Sequence, residues 1–206
     1  GRLRISCPPG LIESLVDDLV IRFLQNFPKV DIDLQISGHP VDLITDDVDI
    51  ALRARAKMEA GASFVVRRLA TSRGILVAAD SLLRTLPPIS HLKDIAVLPT
   101  LCLPGDNGDW TMFDEHSASH AVSVSPRLVT SNIDALKKAA VAGVGIAQLP
   151  EHLCSEALAS GRLERVLPNL STVEGTIYAV FSRETSRLPT LRAFIDHLAL
   201  EFGKLR

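Results

Sequence analysis

Leu11, Leu15, Val16, Leu19, Phe23, Leu24 and Phe27 recur at three- and four-residue intervals after a short apolar run at Leu3 to Cys7. That pattern predicts a buried strand, a turn and an amphipathic helix, which Pro28 forbids from continuing. Asp31 to Ser37 then alternates Ile32, Leu34 and Ile36 with polar neighbours, the period of a strand. Gly38-His39-Pro40 breaks it, a short helix is expected from Val41, and a third strand over Val48 to Arg53. Three strands with two crossovers predict a parallel α/β unit.

Ser63 to Thr71 and Arg73 to Ala79 read as two more strands, and Asp80 is expected to cap a short helix ending near Pro87-Pro88. A second α/β run follows: strand Val97 to Leu103, an irregular polar loop from Pro104 to Asp109, a strand-like stretch Ala121 to Val129, and helix Ile133 to Ala142. Strand Val144 to Leu149 and helix Glu151 to Ala159, closed by Gly161, complete a second lobe. Thr176 to Phe181 is a strand rich in Ile, Tyr, Val and Phe, and Leu188 to Phe202 is amphipathic through Leu191, Phe194, Ile195, Leu198 and Phe202.

Composition narrows the function. With 206 residues, 47% of them hydrophobic, the chain can bury a full core as one larger domain or two small lobes. A net charge of −2 leaves no surplus of cations for a phosphate backbone, so this chain alone is not expected to bind DNA tightly. Apolar runs such as Ile75 to Ala79 fall far short of the roughly 20 residues that span a bilayer, so no membrane partner is expected. Cys7, Cys102 and Cys154 are odd in number and widely spaced, which speaks against a disulfide framework or zinc site and for a cytoplasmic setting. Asn169-Leu-Ser171 matches a glycosylation acceptor only at the level of chance. There is no nucleophile elbow, His-Glu metal spacing or glycine-rich phosphate loop, so neither an enzyme nor a bound cofactor or metal is expected.

The motifs, taken in order, resemble the effector-binding domain of LysR-type transcriptional regulators. They are Leu3-Arg-Ile-Ser, Phe23-Leu-Gln-Asn-Phe-Pro-Lys-Val, Asp42-Leu-Ile ahead of Asp49-Ile-Ala-Leu-Arg, Leu76-Val-Ala-Ala, Trp110-Thr-Met-Phe and Ala142-Gly-Val-Gly-Ile-Ala-Gln-Leu-Pro. Gly161-Arg-Leu-Glu-Arg-Val-Leu and Tyr178-Ala-Val-Phe complete the set, and the resemblance covers residues 2 to 206. Asp47 departs from it, because relatives often carry Gly in that turn.

The resemblance implies an α/β fold similar to type 2 periplasmic binding proteins: two Rossmann-like lobes joined by two crossover strands, with a ligand cleft between them. Lobe I would be residues 1–72 plus 172–206, and lobe II residues 73–171. It also implies a small organic effector, plausibly a carboxylate, and a winged helix-turn-helix domain upstream of Gly1 through which DNA is bound. A homodimer is implied, with the helix after Leu11 against the partner's helix after Asn132, and a tetramer in the full-length form. A secreted solute receptor of the same fold is the alternative. The effector's identity, and whether it activates or represses, are not legible.

Ligands in such folds sit beyond the carboxyl ends of strands, so the loops there supply the candidate contacts. Ser6, Cys7 and Pro8 precede the long helix and are either ligand contacts or a plain helix start; Cys7 reads as a buried thiol rather than a nucleophile. The resemblance places Gly38 and His39 on the rim of the first lobe, where His39 either donates to an anion or is a solvated loop residue. It places Leu101 and Cys102 in the second-lobe wall, with packing as the competing role. Thr130, Ser131 and Asn132 all suit a helix N-cap, and their neighbouring free amides suit a carboxylate. Gly145 and Ile146 are candidates from the glycine-rich motif, although Gly143 and Gly145 read first as helix termination and close packing. Asp46, Asp47 and Asp49 read as a solvated end rather than a metal site, Arg53 as an ion-pairing or hinge residue, and Trp110 as core.

Overall fold

The computed structural model describes residues 1–11, 15–37, 43, 46–55, 63–105 and 108–204. Its strands in chain order are β1 (Arg2–Cys7), β2 (Asp31–Ile36), β3 (Ile50–Arg55), β4 (Phe64–Ser72), β5 (Gly74–Ala78) and β6 (Thr100–Cys102). They continue with β7 (Asp109–Phe113), β8 (Ser119–Ser123), β9 (Pro126–Val129), β10 (Ile146–Pro150), β11 (Glu164–Val166) and β12 (Gly175–Ser182). The helices are α1 (Pro9–Leu11), α2 (Asp17–Asn26), α3 (Asp80–Leu83), α4 (Ile133–Val141), α5 (Glu151–Ala159) and α6 (Pro189–Gly203). The chain divides into two units, Gly1–Thr71 with Gly175–Arg206, and Ser72–Glu174.

The first unit is built on one five-stranded sheet in the order β2-β1-β3-β12-β4. β1 runs parallel to both β2 and β3, as a strand-helix-strand pattern requires, whereas β12 lies antiparallel to β3. β1 is buried along most of its length because it is an interior strand covered on its faces. The stripe on α2 puts Leu19 and Phe23 into the core beside Leu3, Ile5, Ile177, Phe194 and Leu198. Phe23 meets Phe194 of α6 edge-on, with ring centroids 5.0 Å apart. α2 ends where Phe27 N–H donates to the Phe23 carbonyl and Pro28 follows, and α6 starts on Pro189, whose missing N–H a first helical residue does not need.

β3 begins two residues later than the apolar pattern predicts. Asp49 is spent on fastening the turn to β1: its N–H donates to the Arg4 carbonyl and its carboxylate accepts the Arg4 N–H at 2.8 Å. Asp47 pairs with the Arg4 guanidinium and sits at φ 53, the left-handed region in which glycine is unstrained. A glycine, which the resemblance leads one to expect in this turn, would adopt that conformation without strain.

The second unit has the order β11-β5-β10-β6-β9, with β10, β6 and β9 mutually parallel and β5 antiparallel to both β10 and β11. β5 is apolar throughout because both of its faces are covered. Leu76 and Ala78 face a core with Ile95, Trp110 and Met112, while Ile75 and Val77 face α4 and α5 through Leu136, Ala140, Leu153 and Ala157.

Several expectations change here. The strand expected over Val97 to Leu103 is a 3-10 helix at Leu92–Val97 followed by only three strand residues, since the Asp94 carboxylate accepts the Ser90 and His91 N–H groups and stabilises the turn. Ala121 to Val129 is two strands, broken where Val124 N–H donates to the Gly108 carbonyl and Pro126 follows. β7, inside the region read as loop and motif, pairs antiparallel with β8 and buries Trp110 and Met112 in alternation. Asp80 is the first helical residue of α3 rather than its cap, a position held by Ala79, and it pairs instead with Arg84. The helix expected from Val41 lies outside the described residues.

Candidate functional site

In the first unit, the carboxyl end of β1 delivers Ser6, Cys7 and Pro8. Ser6 is fully buried opposite Ala51 of β3, and its hydroxyl meets no hydrogen-bonding partner among the described residues. A buried hydroxyl left unpaired is costly, so such an atom at a strand's carboxyl end is suited to a ligand group. Cys7 is inert: burial pushes its thiol up to about 12, against the opposing charge of Arg53. The carbonyl of Pro8 takes the Cys7 thiol at 3.6 Å and the Leu11 N–H at 3.1 Å, making the turn into α1. Ser37 N–H extends the β1–β2 ladder onto the Cys7 carbonyl, so Ser37 stands at the same edge. Gly38 and His39, which follow Ser37, lie outside the described residues. Arg53 is buried on β3, with Nη1 donating to its neighbour's Leu52 carbonyl at 2.7 Å.

In the second unit, the parallel pair β6 and β9 ends with Cys102 beside Val129, and Thr130 N–H donates to the Cys102 carbonyl at 3.2 Å. Leu101 and Cys102 are thereby brought to Thr130, Ser131 and Asn132 at one edge of the sheet. Leu101 and Cys102 are both buried, Leu101 toward α4 and Cys102 toward the Trp110 core, so their side chains pack and only the chain beyond them reaches the edge.

Asn132 is the cap of α4. It has extended backbone (φ −83, ψ 106), and its Oδ1 accepts Ala135 N–H at 2.7 Å. Thr130 Oγ1 accepts the Asn132 N–H at 3.2 Å, which leaves Ser131 exposed between two committed neighbours. Asp134 in the first turn already complements the positive end of the helix and is itself paired with Lys138.

Gly145 and Ile146 are not brought to this edge. Ile146 pairs with Thr100, at the start of the parallel strands, whereas Cys102 and Thr130 stand at their ends. A Cβ on Gly145 would lie 3.0 Å from the Pro99 carbonyl and 3.1 Å from Leu101, so glycine permits a close strand approach there. Gly143, at φ 74, closes α4.

Sequence reasoning misses a charged cluster at the carboxyl end of β10. Glu151 accepts from Arg73 Nε at 2.7 Å and from Arg165 at 3.3 Å, one carboxylate bridging two guanidiniums. The Arg73 hydrogen bond holds its carboxyl below the usual range, against partial burial, and the charges of Arg73 and Arg165 act in the same direction. Next to it, Ser72 Oγ and His152 Nδ1 are 3.2 Å apart, and burial lowers the His152 pKa. The antiparallel pairing of Gly74 with Pro150 assembles these groups from positions far apart in the chain. The Glu-His pair at the start of a helix was its only local signal.

A family model described as the LysR substrate binding domain matches residues 1–203. The chain is 28% identical over 205 residues to the HTH-type transcriptional regulator PtxR of Pseudomonas aeruginosa, covering 99% of this chain and 65% of that protein. It is 25% identical over 202 residues to the HTH-type transcriptional activator TtdR of Escherichia coli, covering 97% and 64%. Among solved structures, the regulatory domain of AphB from Vibrio vulnificus superposes with a TM-score of 0.83 at 22% identity, over 97% of this chain and 100% of that one. The CrgA regulatory domain from Neisseria meningitidis does so with a TM-score of 0.82 at 25% identity, over 98% and 99%. The chain thus spans a little under two thirds of the length of these two regulators.

Proposed function

Because the chain belongs to the LysR substrate binding domain family, we propose that it is the ligand-sensing part of a DNA-binding transcriptional regulator and that its ligand is a small organic acid. The observation that carries this reading is the family match across residues 1–203. The candidate ligand contacts are proposed, for each unit by itself, to be Ser6, Cys7 and Pro8 in the first and Thr130, Ser131 and Asn132 in the second; Gly38 and His39, also proposed as contacts, lie outside the described residues. Two features support an anionic, hydrogen-bonding ligand: the buried hydroxyl of Ser6, without a partner among the described residues, and the exposed Ser131 beside the positive end of α4. Leu101 and Cys102 pack behind this edge, while Gly145 and Ile146 stand at the opposite end of the parallel strands.

The ligand acts by binding one conformation of the domain better than another, so its differential affinity sets the output; no bond is made or broken and no cofactor enters. DNA is read by a helix-turn-helix segment outside this chain, which agrees with the net charge of −2 here. The domain pairs with a second copy through α2 and α4. In support, edge strands β2 and β9 expose Ile36 and Val129, and α2 exposes Ile21, each more than half accessible. The setting is proposed to be the cytoplasm; no described helix is long and apolar enough to cross a membrane. A secreted solute receptor is not favoured, since the matched relatives are regulators.

A thermal-shift screen over small organic acids, aromatics and amino acids tests the reading. A stabilising acid is expected, and Thr130→Ala and Ser131→Ala should weaken it. Stabilisation that survives both substitutions refutes the site, and the absence of any hit across the acids refutes the ligand class.

A further inference from the structure

The second unit carries a groove of about 430 Å³ between the chain after α3 and strand β11. Leu83, Leu86, Ile89, Val166 and Leu167 form its apolar walls, and Arg165 is the charged residue in its lining. Arg165 has five N–H donors, of which Nη1 is given to Glu151 and Nη2 to the Pro168 carbonyl. Nε is buried without an acceptor, although the side chain as a whole keeps about a quarter of its surface exposed. A groove with apolar walls, no acid among its described lining residues and a partly exposed guanidinium with a second N–H on each of Nη1 and Nη2 is complementary to one kind of small molecule.

We propose that this groove is a second small-molecule site, taking an organic anion with an apolar body such as an aryl-alkyl carboxylate, and that its occupancy is transmitted to the segment Ser72–Arg73. The site is separate from the edge formed by Cys102 and Thr130. β11 and β9 are the opposite margins of the sheet, four strand spacings apart or roughly 19 Å. The transmission runs through shared charge. Arg165 and Arg73 hold the same carboxylate, the Arg73 contact being the shorter (2.7 against 3.3 Å). A ligand carboxylate that draws on Arg165 leaves Glu151 to Arg73. Glu151 N–H also donates to the Arg73 carbonyl, and His152 meets Ser72, so this change falls on the residues where the chain enters the unit.

The test is a titration of the 206-residue chain with 3-phenylpropionate, followed by ¹H–¹⁵N NMR, with neutral 3-phenylpropanol as the paired probe. The acid should shift the amides of Leu86, Ile89 and Leu167 and the Arg73 Nε–H signal. The alcohol should bind about tenfold more weakly, the factor that one charge-assisted hydrogen bond is worth. Arg165→Gln should reduce the acid to the alcohol's affinity, and Arg165→Lys should retain part of the difference. Equal binding of acid and alcohol to the unmodified chain, undiminished binding to Arg165→Gln, or no shift at millimolar acid would overturn the site. Shifts confined to Thr130–Asn132 would likewise overturn it, while supporting the proposed effector edge. Groove shifts with a stationary Arg73 signal would overturn the transmission.

Discussion

Replacing Asn132 with alanine removes the side-chain acceptor that closes the first turn of α4, a 2.7 Å bond from Ala135 N–H. The site is exposed, so water takes over part of the lost bond, and the expected cost is about 1 kcal/mol. Asn132→Gly should cost only a few tenths, because glycine accepts the extended cap backbone and admits water to the freed amide. The size of the melting shift also reports how the chain unfolds. If Ser72–Glu174, about 100 residues, melts by itself, 1 kcal/mol lowers its Tm by about 4–8 °C; if all 206 residues melt together, the shift is about 2–4 °C. Differential scanning calorimetry with a urea titration on the three proteins separates these cases. Equal losses for the alanine and glycine variants, or none for alanine, would refute the assignment of Asn132 as the cap and with it the view that Ser131 is the residue left free at this edge.

Two further outcomes follow from burial. His152 is held below the usual histidine pKa of about 6.5, so the unfolded chain binds the proton more readily; the stability this confers is complete above that value and lost as pH falls through the folded-state pKa. Urea midpoints should therefore decline on acidification below about pH 6.5, and His152→Gln should flatten that decline; an identical slope in the variant would contradict the burial argument. Cys7 and Cys154 have thiols raised to about 12 and about 11 by burial, and Cys102 is buried as well, so iodoacetamide at neutral pH should leave the folded protein unlabelled and modify all three cysteines after denaturation. Mass spectrometry showing rapid native labelling of Cys7 would place that residue at an open surface.

Long periodic elements were legible in the residues: α2, α6 and the parallel trio β1, β2 and β3 follow from spacing because each has a face or an interior to bury. β7 escaped because its alternation lasts five residues between polar stretches, and its partner β8 is what makes it a strand. That one of Thr130, Ser131 and Asn132 caps a helix is plain from their chemistry; that it is Asn132 required the backbone angles. The two ends of the glycine-rich motif are held apart by geometry. Gly145 and Pro150 are five residues apart, and a strand of that length carries its two ends to opposite sides of a sheet, roughly 16 Å apart. Arg73, Glu151 and Arg165 meet only through the antiparallel placement of β5, a long-range pairing that no local pattern encodes.

The first unit is interrupted in a way that orders its synthesis. β12, the strand seated between β3 and β4, emerges from the ribosome only after the whole of Ser72–Glu174 has been translated. Until then the amino-terminal strands have a gap in the middle of their sheet, with β3 presenting an unpaired margin that neighbouring nascent chains could join. The continuous unit is translated whole before the interrupted one receives Gly175–Arg206, the segment that carries its missing strand.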